Sequence, residues 1–123
     1  MKNLPYMSKT KKGFVTVTTA AMMISLLGFA ALATDVGVLY VNHNQLENMT
    51  DSGALAGAQE YFFNQSQAEE KATEFARQNG KDEDIIQSWV DSSEKKVFVK
   101  ATREVNLFFG KVLNKDFASV SST

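Results

Sequence analysis

Residues 14–34 read FVTVTTAAMMISLLGFAALAT, and no charged side chain interrupts the run between Lys12 and Asp35. Wound as a helix at about 1.5 Å per residue, it spans roughly 30 Å, the hydrocarbon thickness of a bilayer. That reading decides the architecture. The chain hangs from one N-terminal apolar helix, and everything beyond Asp35 folds outside it.

Working outward, Lys2, Lys9, Lys11 and Lys12 precede the run, whereas Asp35 to Glu70 contains acids and no Lys or Arg. Cytoplasmic flanks retain basic residues, so the N-terminus is expected inside and the rest of the chain outside. Setting those lysines aside leaves 9 of the 13 bases against 14 acids, a formal charge of −5 on the external part. A nucleic-acid-binding module is disfavoured by that balance. The competing reading is a cleaved secretory signal ending at Ala31-Leu32-Ala33. Signal h-regions run about 7–15 residues, shorter than this one, and Val36, Val38, Leu39, Tyr40 and Val41 carry the apolar pattern past the cut. Retention as an anchor fits better.

The 123 residues contain no cysteine, which removes disulfides, thiolate metal sites and a cysteine nucleophile. The chain beyond the span is long enough for one small domain. Helical composition continues to about Phe63, so span and extension are expected to form one long stem. On it Leu46, Met49, Gly53, Ala56 and Gly57 fall along one face. Glycine inside a helix costs about 1 kcal/mol relative to alanine, so something must pack there. The partner is either the protein's own domain or a neighbouring subunit: a stripe buried within the monomer favours a tethered module, and an open stripe favours assembly.

Ser66 with Glu69 has the form of a capping box opening a second helix, with Ala68, Ala72, Phe75 and Ala76 inward and Asn79-Gly80 as its stop. Residues 85–90 and 96–105 then alternate as strands joined by a turn over 91–95. Residues 106–113 are expected to form a short helix with Leu107, Phe108, Val112 and Leu113 inward, before a final strand over 117–121. Trp89, Phe98, Phe108, Phe109 and Phe117 are expected mostly in the core, with an exposed Phe109 as the alternative sign of a docking patch. The predicted class is α+β: a transmembrane helix continuing into a stem, a second helix, and a three-stranded, mainly antiparallel sheet with a short helix. The predicted divisions are a basic cytoplasmic leader (1–13), the span (14–34), a helical stem (35–63) and an extracytoplasmic head (64–123).

Three stretches together resemble a known family: Leu26-Leu27-Gly28-Phe29-Ala30-Ala31-Leu32-Ala33, Asp35-Val36-Gly37-Val38-Leu39-Tyr40, and the segment from Leu46 through Asp51, Gly53 and Gly57 to Ala58. They look like the N-terminal module of TadE/TadG-like proteins of tight-adherence (Flp-type) pilus assembly. The resemblance is close over residues 13–58 and weaker over 96–122. It implies an envelope protein, similar to a pseudopilin or minor pilin, that serves pilus assembly or a related secretion apparatus in contact with the membrane and other subunits, copies of itself included. No catalysis, cofactor or small-molecule substrate is implied. Prepilin-type leaders are cut after a glycine such as Gly13, which makes Gly13-Phe14 the candidate processing site. The fifth mature position, usually Glu, is Thr18 here. Longer members carry a large C-terminal domain that this chain does not reach, so any separate function is expected in the stem and small head. The rival is an envelope binding protein, tethered or secreted, outside any pilus.

The residues show no chemistry of their own. His43 has no second His to share a metal. Asp82-Glu83-Asp84 lacks the spacing of a calcium loop and is expected to be a solvated acidic turn. Ser92 and Ser93 have no base beside them, Glu69 and Glu70 diverge on a helix, and no phosphate-binding glycine loop occurs, so no enzyme activity is expected. Asp35 is expected either to mark the point where helix meets water or to pair with a cation of a neighbouring subunit. Asp51 lies off the stripe and is expected to be solvated or bonded to the head.

Overall fold

A computed structural model describes residues 10–123, with side chains from residue 13 onward; the leader residues before Thr10 lie outside the described part. Helix α1 runs Thr10–Tyr61 without a break, followed by α2 (Ala68–Asn79), β1 (Ile85–Asp91), β2 (Lys96–Asn106), a single 3-10 turn (Gly110–Leu113) and β3 (Phe117–Ser122). The strands form an antiparallel meander in the order β1-β2-β3. Trp89 lies opposite Phe98, and Arg103 opposite Val120. The fold is the α+β one expected.

The two halves of α1 have different fates. Across residues 14–34 the large apolar side chains face outward, Phe14, Val17, Ile24, Leu27 and Phe29 among them. From Asp35 to Tyr61 the same helix is the floor on which the head is built. Its core is Leu46 and Met49 of α1, Ala72 and Ala76 of α2, and Val99 and Ala101 of β2, all essentially inaccessible. Strand β2 runs down the helix, opposite to its direction. Val97 lies against Gly57, Arg103 reaches Asn42 and Gln45, and Phe108 meets Asp35. The lengths agree: residues 35–57 of a helix rise roughly 33 Å and residues 97–108 of a strand roughly 36 Å.

Four local expectations are corrected. The capping box does not form, because Ser66 Oγ donates to Asn64 Oδ1 at 2.7 Å and the residue before α2 is Gln67, in helical rather than extended geometry and with no side-chain cap. Phe75 is 40% exposed rather than inward, since the alanine face of α2 lies too close to α1 to admit a ring. The aromatic side chains do not fill the core. Trp89 and Phe98 stack on each other as cross-strand neighbours, ring centres 5.3 Å apart, while Phe108 and Phe117 are exposed. The helix expected over 106–113 is reduced to the 3-10 turn, because β2 extends to Asn106, which pairs with Phe117; Phe108, Val112 and Leu113 consequently point to solvent.

Candidate functional site

Of the small-residue stripe on α1, Leu46, Met49, Gly53 and Gly57 are brought together under α2 and β2. A Cβ on Gly53 would stand 2.7 Å from the Ala72 carbonyl oxygen and 2.9 Å from Ala76 Cβ. One on Gly57 would stand 2.8 Å from both Ala72 Cβ and Val97 Cγ1, and 2.9 Å from the Ala68 carbonyl oxygen. Glycines facing alanines let the two backbones approach to this distance. Ala56 is half-buried at the edge of a shallow groove with Phe63, Lys71 and Phe75. The partner of the stripe is therefore the protein's own second helix and sheet.

Gly37 is different. Nothing lies within 4 Å of the place where its Cβ would be, and the same holds for Gly13 and Gly28. Gly37 lines an open apolar groove with Phe29, Leu32, Ala33, Val36 and Tyr40. Phe14 is exposed beside Gly13, so the candidate processing bond sits in the unpacked half of α1.

Asp35 neither ends the helix in water nor waits for a cation. It is 7% exposed and its carboxylate collects three backbone N–H groups from the far end of the sequence: Phe108 N–H donates to Oδ1 at 2.8 Å, Phe109 and Gly110 to Oδ2 at 2.8 and 3.0 Å. A carboxylate can accept all three because it carries two oxygens and no proton to donate. The N–H groups need an acceptor because they open the 3-10 turn and have none within it. The apolar half of α1 is thereby pinned at its last residue to the lower end of the head.

A second polar tie was missed in the sequence. Arg103, 3% exposed, donates from Nε and Nη2 to the two Asp84 oxygens at 2.5 and 2.6 Å. Its Nη1 donates to Asn42 Oδ1 and Gln45 Oε1, each at 2.9 Å. Asp84 also accepts from Lys81 N–H at 2.7 Å. Burial works against the Asp84 carboxylate, yet the Arg103 hydrogen bonds and charge, with the Lys81 amide, outweigh it and hold its carboxyl below the usual range. The Asp84 hydrogen bond raises the Arg103 guanidinium further. The acidic turn over 82–84 is thus not wholly solvated. The signal was present: Val97, Val99, Ala101, Arg103 and Val105 share one face of an alternating strand, which puts a charge inside and demands a partner.

Within the apolar half of α1, three hydroxyls are satisfied by the helix itself. Thr18, Ser25 and Thr34 each donate to the carbonyl four residues earlier, at 2.9 Å. That is the arrangement a lipid environment requires, since no water is there to bond them. His43 and Asp51 are exposed, and among the described residues no group of His, Cys, Asp or Glu is placed to hold a metal.

A long helix, bare and apolar below and clad with a small meander above, defines the class: a helix-and-head α+β protein with one helix long and apolar enough to cross a membrane. Residues 13–60 match the family described as "Putative Flp pilus-assembly TadE/G-like". The matched stretch is nearly all of α1, and the family it matches is one of pilus-assembly components rather than enzymes. No curated protein and no solved structure matches the chain.

Proposed function

We propose that this protein is a pseudopilin- or minor-pilin-like structural component of a tight-adherence pilus, anchored in the membrane by residues 14–34. The N-terminus is cytoplasmic and the head extracytoplasmic, and the protein has no catalytic role. The family match over residues 13–60 carries this reading. The bare helix supports it, because a pilin-like subunit needs an apolar helix that can exchange lipid for neighbouring helices. Gly13-Phe14 is the processing site in this reading.

The assembly contact is not the Gly53–Gly57 stripe, which the monomer fills itself. It is instead the open face around Phe29, Val36, Gly37 and Tyr40. The filled stripe favours a second reading, an envelope module merely tethered by its helix. A photo-crosslinking amino acid placed at Phe29 in cells separates the two: adducts with pilus subunits or with a second copy support the pilus component, and lipid adducts alone support the tether. Protease digestion of the head in intact spheroplasts checks the orientation, and full protection there would reverse it.

A further inference from the structure

We propose that the loop between β2 and β3, residues 107–116, is a second membrane contact that seats the base of the head in the headgroup region of the bilayer, with anionic phospholipid as its ligand. This rests on reading residues 14–34 as the membrane anchor. Three observations carry it. First, the loop is fixed at the level of Asp35, the residue that closes the apolar run, by the three N–H donations from Phe108, Phe109 and Gly110. Its height relative to the bilayer is therefore set by the span. Second, β2 descends α1 to this point and β3 climbs back, with Ser122 reaching Thr50 at 3.3 Å, so the loop is the end of the head nearest the span. Third, its large apolar side chains are turned out rather than in: Phe108 is 79% exposed, Val112 73% and Leu113 67%.

A domain this small gains by burying such residues, yet the core takes in Leu46, Met49, Val99 and the alanines of α2 and β2 while these remain outside. Leu32, one helical turn before the Asp35 that holds the loop, is itself an exposed apolar residue of α1. Lys111 and Lys115, both exposed, flank it without an acid of the loop other than Asp116. Apolar residues interleaved with lysines are the composition of segments that lie in the interface of anionic membranes, rings and aliphatic chains at the acyl boundary and ammonium groups among the phosphates. The consequence is orientational. A single helix leaves a head free to rotate and tilt, whereas two contacts hold it at one face.

The absence of cysteine allows one nitroxide label per variant on the full chain reconstituted in phosphatidylcholine vesicles with and without phosphatidylglycerol. Labels are placed at Phe108→Cys and Leu113→Cys in the loop, at Phe29→Cys in the span and at Phe62→Cys at the far end of the head. All four positions are exposed, so the fold tolerates them. Collisions with oxygen, which partitions into lipid, and with a water-soluble nickel chelate report depth. The expected result is that labels at 108 and 113 sit roughly 5–10 Å into the headgroup–acyl boundary, between the deep label at 29 and the aqueous one at 62. Lys111→Glu with Lys115→Glu should lift them toward water in the anionic vesicles. Free collision of the 108 and 113 labels with the nickel chelate, while the label at 29 stays in lipid, overturns the inference and leaves the anchor standing. A water-exposed label at 29 overturns the anchor itself and this inference with it. Labels at 108 and 113 shielded from both reagents and broadened by spin–spin coupling would assign the loop to a second copy of the chain, which also overturns the proposal.

Discussion

Replacing Gly57 by alanine and Gly37 by alanine makes the same chemical change twice in one helix, and the structure predicts opposite outcomes. At either position alanine gains about 1 kcal/mol of helix propensity over glycine. At Gly37 nothing stands within 4 Å of the new methyl group, so that gain is kept. At Gly57 the methyl would arrive 2.8 Å from Ala72 Cβ and from Val97 Cγ1 and 2.9 Å from the Ala68 carbonyl oxygen. Two of these neighbours belong to α2 and the third to β2, so the helix cannot yield to one without meeting the other. Overpacking of this kind costs about 1–3 kcal/mol, which leaves Gly57→Ala a net loss of about 1 kcal/mol. The difference between the two variants cancels the propensity term and isolates the packing term at about 1–3 kcal/mol. The single tryptophan, Trp89, stacked on Phe98, reports unfolding by fluorescence in detergent micelles under a urea series. Equal shifts of the same sign in both variants would show that the stripe packs against nothing in the monomer, and would refute the reasoning. Gly57→Leu extends the series and should cost more, again without reference to any partner protein.

The remaining predictions concern the two polar ties. Asp35→Ala leaves the Phe108, Phe109 and Gly110 amides without their acceptor; with hydrogen bonds to charged groups worth about 1.5–3 kcal/mol, their exchange with deuterium should accelerate at least about tenfold while the β1–β2 amides are unchanged, and a uniform change would contradict a local role. Asp84→Ala strands the buried Arg103 charge and should destabilise the head by about 3–5 kcal/mol, moderated by the Asn42 and Gln45 oxygens that still accept from it; Arg103→Met with Asp84→Leu should recover most of that loss in the same urea series. Asp84 has its folded value depressed, so its contribution is complete above the unfolded value of about 3.9 and is lost as pH falls through the folded one. The wild-type unfolding midpoint should therefore hold steady down to about pH 5 and drop below about pH 4, with Asp84→Asn showing a lower but flatter profile; a parallel drop in both would assign acid sensitivity elsewhere.

How much of this was legible in the chain differs element by element. The apolar run over 14–34, the alternation in β2 and the Asn79-Gly80 stop are statements about neighbouring residues, and hydropathy and period are local quantities, so the α+β order of elements could be read directly. The small-residue stripe was likewise visible, because glycines in a helix ask for a close partner. Which partner answered was a tertiary matter: Ala68, Ala72 and Ala76 happen to repeat at the spacing that meets Gly53 and Gly57, so the monomer closed a surface that a neighbouring subunit could have filled. Asp35 shows the limit most plainly. Its acid was obvious in the sequence, but its acceptor role depends on amides 73 to 75 residues away, delivered there only because β2 and the stem happen to match in length. The outward aromatics have the same origin, since a core closed by methyl groups at backbone distance has no room for rings. Sequence determined where the long apolar run lies and what the segments are; the tertiary structure decided which surfaces are spent on folding and which are left to meet something else.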